Sequence, residues 1–369
     1  MPEKYRDVPL TTQNSEARLN QRQLTSYRAH RRRLIDWMLD EGKDPARGDG
    51  YAHSTATMRA YRLDKFYRAV WTAERRYTEG ITTAHADAWL EHIDEQAYTE
   101  SYKAACSKAL VTLFEWKAAE SNTPMTWEPT KRFSSTRARQ PRDFFTKDER
   151  NRLREAALEV GSVPNYYDVP ASDRSAWTAY LAQRFGKPKS EVTPDDWQRA
   201  NSWKIPSLLW VTLDAGLRPI EVERARVSWV DTENAVLRIP KEKSAKNHEN
   251  WQTSLQRRTV LAVEKWLHER TLRSMYEETD ALWLTKHGNP YGSQALNPLL
   301  RKVCDVAGID LTNRDLTWYS IRHSVGTYMT EERGLKAAAT QLRHKTIQST
   351  IKYDQAPLEA RHEALERME

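Results

Sequence analysis

The chain has 369 residues, a formal net charge of +7, 30% charged residues and only two cysteines, Cys106 and Cys304. This length suggests two or three domains, and the basic balance makes nucleic acid a better partner than an acidic small molecule. Two distant cysteines exclude a disulfide framework. We find neither an export signal nor the run of about 18 apolar residues that a membrane span needs, so no membrane partner is expected.

The first third of the chain predicts a small helical bundle. Residues 1–20 have no periodic pattern, and we expect them to be flexible. Apolar residues at helical spacing then predict four helices, at about 23–41, 54–74, 84–93 and 98–119. Residues 21–120 are therefore predicted to form one helical domain.

The second predicted helix contains a stripe of cations at three-residue steps: Arg59, Arg62, Lys65 and Arg68. Such a stripe is usually only the solvated side of a helix. On this basic chain it also fits a phosphate backbone, so the four residues are candidate nucleic-acid contacts.

Residues 121–144 predict a basic linker, because they are rich in Pro, Ser and Thr and show no periodicity. Within it, Arg137 and Arg139 are further candidate contacts. Thr146 and Glu149 then form a T-x-x-E capping box, which predicts that a second domain begins at residue 145.

The second domain, 145–369, is predicted to be mainly α with a small antiparallel β-sheet. Residues 160–204 hold four prolines and are interpreted as an insertion. An apolar helix follows and ends at Gly216. Two strands, at 235–239 and 251–255, surround a lysine-rich turn. Helices are predicted from about 258 and from about 293, and residues 354–369 form a C-terminal tail.

Three segments of this domain carry the residues of chemical interest. Box 1, residues 213–221, reads LDAGLRPIE; box 2, 316–323, reads LTWYSIRH; and box 3, 341–353, reads QLRHKTIQSTIKY. We find no Walker A, GxGxxG, HExxH or zinc-ligand pattern. Taken singly, Arg218 with Glu221 would be a structural ion pair, and Tyr353 a routine helix aromatic. Only the ordered conjunction of the three boxes argues for a site.

The three boxes resemble those of the tyrosine recombinase (phage integrase) family, which read roughly T-G-L-R-x-x-E, H-x-L-R-H and L-G-H-x-x-x-x-T-x-x-Y. The resemblance is specific over about residues 205–355. The helical domain resembles the family's core-binding DNA-binding domain only in size, helicity and position. The resemblance implies a catalytic domain with the DNA breaking-rejoining fold.

The resemblance also implies roles for individual residues. Arg218 and Arg322 would be the two catalytic arginines, Tyr353 the nucleophile, and His344 a contact to the scissile phosphate. Glu221 and His323 would give structural support.

The family further uses a lysine in a β-hairpin turn, and this turn offers Lys241, Lys243 and Lys246. We favour Lys246, because it lies just before the second strand. Lys241 and Lys243 remain candidate DNA contacts.

This residue set fits metal- and ATP-independent strand cleavage, so no cofactor is expected. In-line attack on a phosphodiester builds negative charge on the non-bridging oxygens, and arginine forks suit two oxygens at once. The leaving 5′-oxygen needs a proton, which a lysine with a lowered pKa supplies. A tyrosine hydroxyl has a pKa near 10 and needs nearby cations to become a good nucleophile.

Two residues depart from the family pattern. Tyr319 stands where the family usually has the histidine of box 2, and we expect it to donate a hydrogen bond to the phosphate; archaeal and archaeal-virus members similarly have Y-x-x-R. Arg343 replaces the glycine of box 3. It is interpreted either as a helix-surface residue or as one more phosphate contact.

The predicted function is that of a site-specific recombinase or integrase of a mobile element, virus or plasmid, acting through a 3′-phosphotyrosyl intermediate. Its partner would be double-stranded DNA with an inverted-repeat core site. The protein would act as a homo-tetramer on DNA, be a monomer or dimer when free, and be cytoplasmic and nucleoid-associated. The alternatives are a catalytically silent DNA-binding relative, a chromosome or plasmid dimer resolvase, and a relaxing topoisomerase.

Overall fold

The structure is a computed structural model that describes residues 3–121, 127–133, 143–241, 251–354 and 357–368. The chain divides into two compact units, Met1–Gln140 and Pro141–Glu369. Each unit has its own cluster of buried apolar side chains.

The first unit is a helical bundle with a short β-hairpin at its start. Strands β1 (Lys4–Tyr5) and β2 (Val8–Pro9) pair antiparallel. The α-helices that follow among the described residues are α1 (Gln13–Glu16), α2 (Gln21–Asp40), α3 (His53–Glu74), α4 (Thr83–Asp94) and α5 (Glu100–Ser121). Helix α3 buries one face, with Leu63, Phe66, Tyr67 and Val70 at helical spacing, and this face forms the centre of the bundle.

The first residues of the chain are packed, which corrects the expectation that 1–20 is flexible. Val8 and Leu10 are completely buried in the helical core. Arg31 donates from Nε to the Leu10 carbonyl, and the Thr12 hydroxyl donates to buried Asp64 at 2.7 Å. The segment is too short to show a period, so its pattern did not reveal these contacts.

The second unit is mainly helical. Its helices are α6 (Lys147–Glu159), α7 (Ala171–Phe185), α8 (Pro194–Arg199), α9 (Lys204–Ala215), α10 (Pro219–Arg224), α11 (Arg257–Arg270), α12 (Ser293–Val306), α13 (Trp318–Gln341) and α14 (Leu358–Glu366). The Thr146 side chain and Glu149 form the capping box that begins α6. Helix α9 is buried at each position from Ile205 to Ala215, and α6, α11 and α13 pack around it.

A three-stranded antiparallel sheet lies between α10 and α11. Its strands are β3 (Val230–Asp231), β4 (Val236–Ile239) and β5 (Trp251–Ser254), in the order β3-β4-β5. The register between the last two runs from Val236 opposite Ser254 to Ile239 opposite Trp251. The predicted class, mainly α with a small antiparallel sheet, is confirmed; the two-residue strand β3 was not predicted.

Residues 160–204, interpreted as an insertion, contain α7, α8 and a separate small core. That core is built from Val163, Val169, Trp177, Leu181, Trp197 and Ala200. The Trp177 indole donates to the Leu272 carbonyl at 2.8 Å, which attaches this core to the segment after α11.

Helix α13 carries box 2 at its start and reaches box 3 at its end. It is interrupted at Gly334, where φ is +79° and ψ 171°. Because glycine has no Cβ, it adopts this conformation without steric cost. Throughout the described ranges, the helices are too short or too polar to cross a membrane.

Candidate active site

Box 1 forms the turn between α9 and α10, and glycine geometry allows it. Gly216 ends α9 with φ +57°, and a Cβ there would lie 2.6 Å from the Leu342 side chain. Two residues later, Arg218 is the N-cap of α10. Its backbone N–H donates to Glu221 Oε2 and its Nη1 to Glu221 Oε1, both at 2.8 Å. The turn thus fixes the first arginine against a carboxylate.

Glu221 is almost completely buried and bridges two arginines. Its other ion-pair partner is Arg343, whose Nη2 lies 2.8 Å from Oε2. Burial raises the pKa of this carboxyl group, but Arg343, Arg218 and Arg322 lower it further, so the pKa falls to about 2. Glu221 is therefore ionised at neutral pH.

Arg322 connects all three boxes from within α13. Its side chain is completely buried; Nη1 donates to the Gly216 carbonyl at 2.6 Å, and Nη2 donates to the Leu342 carbonyl and lies 3.0 Å from His344 Nε2. Burial and the neighbouring cations Arg343 and Arg218 lower its pKa to about 10, so it remains cationic at neutral pH.

His344 is a neutral imidazole in this arrangement. Burial, together with Arg322 and Arg218, lowers its pKa to about 3. A guanidinium group only donates, so Nε2 accepts from Arg322, and Nδ1 carries the proton and donates to Thr350 Oγ1 at 2.7 Å.

Tyr353 ends a single 3-10 turn, Ile351–Tyr353, and its ring is enclosed on several sides. The ring stacks on His344 at 5.7 Å between centroids and 4° between planes, and meets His323 edge-on at 5.0 Å. A Cβ on Gly326 would lie 2.6 Å from Cγ of this ring. The close approach of α13 to the tyrosine therefore requires a glycine at 326.

The Tyr353 hydroxyl is buried, and within the described ranges no hydrogen bond of good geometry reaches it. Burial raises its pKa to about 12, and the nearby Arg322 guanidinium opposes this shift. The arrangement is chemically that of a shielded phenol beside cations, and it needs further positive charge or a proton acceptor to ionise.

Tyr319 lies at the edge of this cluster, together with a lysine that the sequence analysis did not select. The Tyr319 ring is half-buried, 5.4 Å from the His323 ring. Lys352 is exposed, and its Nζ is 4.9 Å from the centroid of Tyr353 and 5.7 Å from that of Tyr319. Adjacency to the tyrosine was the available signal for Lys352.

Arg343 requires a correction. It was interpreted as a helix-surface residue or a phosphate contact, but only 4% of it is exposed. Its guanidinium binds Glu221 and the carbonyls of Ala215, Gln341 and Gly216. It therefore belongs to the interior support of box 1 and is not a helix-surface residue.

The basic stripe of α3 divides into two kinds of residue. Arg59, Arg62 and Lys65 are half-buried beside tyrosine rings: the Arg59 guanidinium is 3.7 Å from the Tyr51 centroid, and Lys65 donates to the Tyr98 hydroxyl at 2.8 Å. Arg68 instead donates to the buried Asp64 carboxylate at 3.1 Å. The first three form a surface of cations held by aromatic rings, and Arg68 is a structural ion pair.

Of the lysines in the hairpin turn, Lys241 is described and is exposed. Lys243 and Lys246 lie outside the described residues, as do Arg137 and Arg139 in the linker. Across the described residues, no group of three or more His, Cys, Asp or Glu side chains is arranged to hold a metal ion.

The geometry therefore brings Arg218, Arg322, His344 and Tyr353 into one cluster, with Tyr319 at its edge. Glu221 and His323 pack directly against members of this cluster. Two arginines beside a buried phenol suit the binding of a phosphodiester and attack on its phosphorus.

Comparison with known proteins agrees with this reading. Residues 196–359 match the model of the phage integrase family. No curated protein matches the sequence.

Two solved structures share the fold. The XerH site-specific recombinase, in a post-cleavage complex with the palindromic difH substrate, aligns with a TM-score of 0.57 and 14% identity over 94% of this chain and 88% of that chain. The Tn1549 transposon integrase, in complex with transposon right end DNA, aligns with a TM-score of 0.54 and 12% identity over 91% of this chain and 98% of that chain. At these identities the likeness is one of fold. Residues 196–359 are thus similar in sequence to the phage integrase family, and the chain is similar in fold to these two DNA-bound proteins.

Proposed function

We propose that Tyr353 is the nucleophile of a site-specific recombinase or integrase and forms a 3′-phosphotyrosyl link to DNA. One observation carries this proposal: the Tyr353 ring stacks on His344, which is bonded to the buried Arg322. A tyrosine near the end of the domain that served only for packing would not need buried cations beside its hydroxyl, since burying a charge is costly.

The two arginines bind the scissile phosphate in this proposal. Arg322 has two of its nitrogens held by protein groups, while its Nε is buried without a hydrogen bond among the described residues. That N–H is suited to a non-bridging oxygen. Arg218 is 15% exposed in its side chain and supplies a second cation, held in place by Glu221. Because both are fixed before DNA binds, they stabilise the developing charge without reorganisation.

His344 acts through its neutral form. Both ring nitrogens have partners, so a direct phosphate contact requires the imidazole to exchange Arg322 or Thr350 for an oxygen. Tyr319 donates a hydrogen bond to the phosphate in this scheme, and His323 supports both tyrosine rings.

The leaving 5′-oxygen receives its proton from a lysine of the hairpin turn. Lys246 remains the favoured candidate among Lys241, Lys243 and Lys246. The observation in favour of the turn is its position between β4 and β5, since the end of β5 is joined to box 3 through Gln341.

The first unit is proposed as the core-binding domain, with Arg59, Arg62 and Lys65 facing the DNA backbone. Residues 121–144 then serve as a basic linker with Arg137 and Arg139, residues 160–204 as an insertion, and 354–369 as a tail. The XerH and Tn1549 integrase structures contain DNA, which supports duplex DNA as the partner.

The finer assignment concerns the biological context. We infer a core site with inverted repeats, a homo-tetramer on DNA that is a monomer or dimer when free, and a nucleoid-associated location in the cytoplasm. A mobile element is the favoured context, because the insertion and the diverged Y-x-x-R box, similar to archaeal and archaeal-virus members, depart from a housekeeping resolvase. A chromosome or plasmid dimer resolvase is the second candidate.

The test is covalent capture of DNA. Wild-type protein is mixed with nicked duplexes that cover the ends of the element carrying its gene, and a protein–DNA adduct is measured under denaturing conditions. We expect an adduct with the wild type and none with Tyr353→Phe. Tyr328→Phe is the matched control, because Tyr328 lies on α13 and bonds Glu359 outside the cluster.

An adduct with Tyr353→Phe would show that another residue is the nucleophile. Specific DNA binding without an adduct in the wild type would instead favour the silent, DNA-binding relative.

A further inference from the structure

The backbone at Arg343 has a conformation that favours glycine. Its φ is +57°, one residue after the end of α13. Few non-glycine residues have a positive φ, and glycine is the usual residue just after a helix end. An arginine in this position bears a steric cost that glycine would avoid, which points to a role for its side chain.

The contacts of that side chain converge on box 1. Nη1 donates to the Ala215 carbonyl at 2.7 Å and to the Gln341 carbonyl at 3.0 Å; Nη2 donates to Glu221 Oε2 at 2.8 Å and to the Gly216 carbonyl at 3.2 Å. The side chains of Arg343 and Glu221 are each 1% exposed, so neither can exchange its partner for water in place.

The same carboxylate holds the first catalytic arginine. Glu221 Oε1 accepts from Arg218 Nη1, and Oε2 accepts from the Arg218 backbone N–H. We propose that Arg343 is a positioning residue for strand cleavage: it fixes Glu221, and Glu221 fixes the Arg218 guanidinium toward the phosphate. This inference rests on the proposed function, because it takes Arg218 as a catalytic arginine.

The charges around Glu221 determine how the arrangement responds to pH. They are Arg218 at the start of α10, Arg322 within α13 and Arg343 after it; His344 beside Arg322 is neutral, and Asp214 at the end of α9 is paired with Arg154. The cations keep the pKa of Glu221 at about 2, although burial raises it. Without the Arg343 charge, burial is opposed by two cations instead of three, so the pKa of Glu221 rises. A protonated Glu221 no longer pairs with Arg218.

The experiment compares Arg343→Met with wild type in single-turnover cleavage of a nicked duplex and in equilibrium DNA binding, each across about pH 8 to 5. We expect cleavage about 10- to 100-fold slower, from misplacement of a catalytic group, with nearly unchanged DNA affinity. We also expect the variant to lose more activity than wild type as the pH falls. Arg343→Lys keeps a cation and should remove this acid-dependent loss.

Two further variants keep the test decisive if Arg343→Met folds poorly. Arg343→Met with Glu221→Gln removes the buried unpaired carboxylate; it should fold, cleave slowly and show no acid-dependent loss beyond that of wild type. Arg75→Gly is the matched backbone control, because Arg75 has φ +54° after α3 and is exposed. It should cleave at the wild-type rate.

Wild-type rate and pH profile in Arg343→Met would overturn the proposal. So would a fall in DNA affinity that matches the fall in rate, since that result marks a DNA contact, and so would an acid-dependent loss that persists in the double variant. Absence of an adduct with the wild type itself would instead contradict the proposed function.

Discussion

Gly326 and Tyr353 illustrate how closely single residues are matched in the site. A methyl group at 326 would stand 2.6 to 2.8 Å from three atoms of the Tyr353 ring, closer than non-bonded carbons approach. Glycine to alanine within a helix ordinarily stabilises a protein by about 1 kcal/mol. Here the Tyr353 ring must move to make room, so the alanine should destabilise the protein instead.

We predict that Gly326→Ala lowers the melting temperature and slows adduct formation by about 100-fold through displacement of Tyr353, the proposed nucleophile. Gly292→Ala is the control, because its added Cβ would make only an ordinary contact, 3.7 Å from Glu223. An alanine variant with wild-type cleavage would show that the ring position is adjustable.

The lowered pKa of His344 predicts how the stability of the folded protein depends on pH. Its pKa of about 3 in the folded protein lies below the ordinary value of 6.5, so the unfolded chain binds the proton more tightly. Its contribution to stability is fully present above about pH 6.5 and is lost as the pH falls below that.

We expect the free energy of unfolding of His344→Gln, from urea titrations, to fall less than that of wild type between about pH 7 and 4. Thr350→Val removes the Nδ1 partner but keeps the imidazole buried, so its pH dependence should follow wild type. Parallel curves for wild type and His344→Gln would contradict the assignment of a buried neutral histidine.

At the scale of single residues, the sequence predicts the members of the cluster around Tyr353 better than the residues that hold them in place. Arg218, Arg322, His344 and Tyr353 follow from the resemblance of the three boxes to the tyrosine recombinase family, and the structure places them together. The role of Arg343 could not be derived, because it depends on a positive φ that only the fold reveals. Gly326 gave no signal, since its neighbour in space is far along the chain.

Among the elements, α6 and α9 are joined by an ion pair inside the second unit. Arg154 and Asp214 have side chains that are 2% and 3% exposed, and Asp214 also accepts the Gln256 backbone N–H at 2.8 Å. Breaking a buried pair leaves an uncompensated charge, which costs about 3–5 kcal/mol.

We therefore expect Arg154→Met to lower the free energy of unfolding by about that amount in urea denaturation. Arg152→Met, two residues earlier on the same helix, removes an exposed ion pair with Asp148 and exposed hydrogen bonds to the Ala307 and Gly308 carbonyls. It should cost at most about 1 kcal/mol. Equal costs for the two variants would mean that the buried pair is not needed to hold α6 against α9.

The segment that directly follows the initial hairpin gives a second prediction at the scale of structural elements. Leu10 is completely buried under α2 and α3, so Leu10→Ala should destabilise the first unit by about 2–5 kcal/mol. Met58→Ala, at a side chain that is 50% exposed, should cost much less. A near-neutral Leu10→Ala in thermal unfolding would restore the expectation of a flexible start.

Helices with a clear apolar period were predictable within a few residues, as the bounds of α2, α5 and α9 show. Elements of two residues, β1, β2 and β3, were not, because two residues cannot display a period. The break at Gly334 was hidden because helical pattern continues on both sides of it.

For the whole molecule, charge should dominate DNA affinity. Each phosphate contact contributes about 0.9 to the slope of log affinity against log salt concentration. If Arg59, Arg62 and Lys65 face the backbone, Arg59→Ala and Arg62→Ala should each reduce that slope by about 1. Arg68→Ala should leave it unchanged, because Arg68 is paired with Asp64. Identical slopes in all variants would remove α3 from the interface.

The turns that carry Tyr353 are held by local backbone bonds, by the bond between His344 and Thr350, and by packing of the tyrosine ring on α13. The backbone hydrogen bonds described between residues 346 and 354 span three residues each, whereas Arg322 is bonded to carbonyls of both other boxes. We expect the segment that carries the proposed nucleophile to open on a shorter timescale than the arginine cluster. The Tyr353 amide should accordingly exchange its hydrogen sooner than that of Arg322. Under the proposed function, such a difference would make strand cleavage a separate, later event than binding of the phosphate.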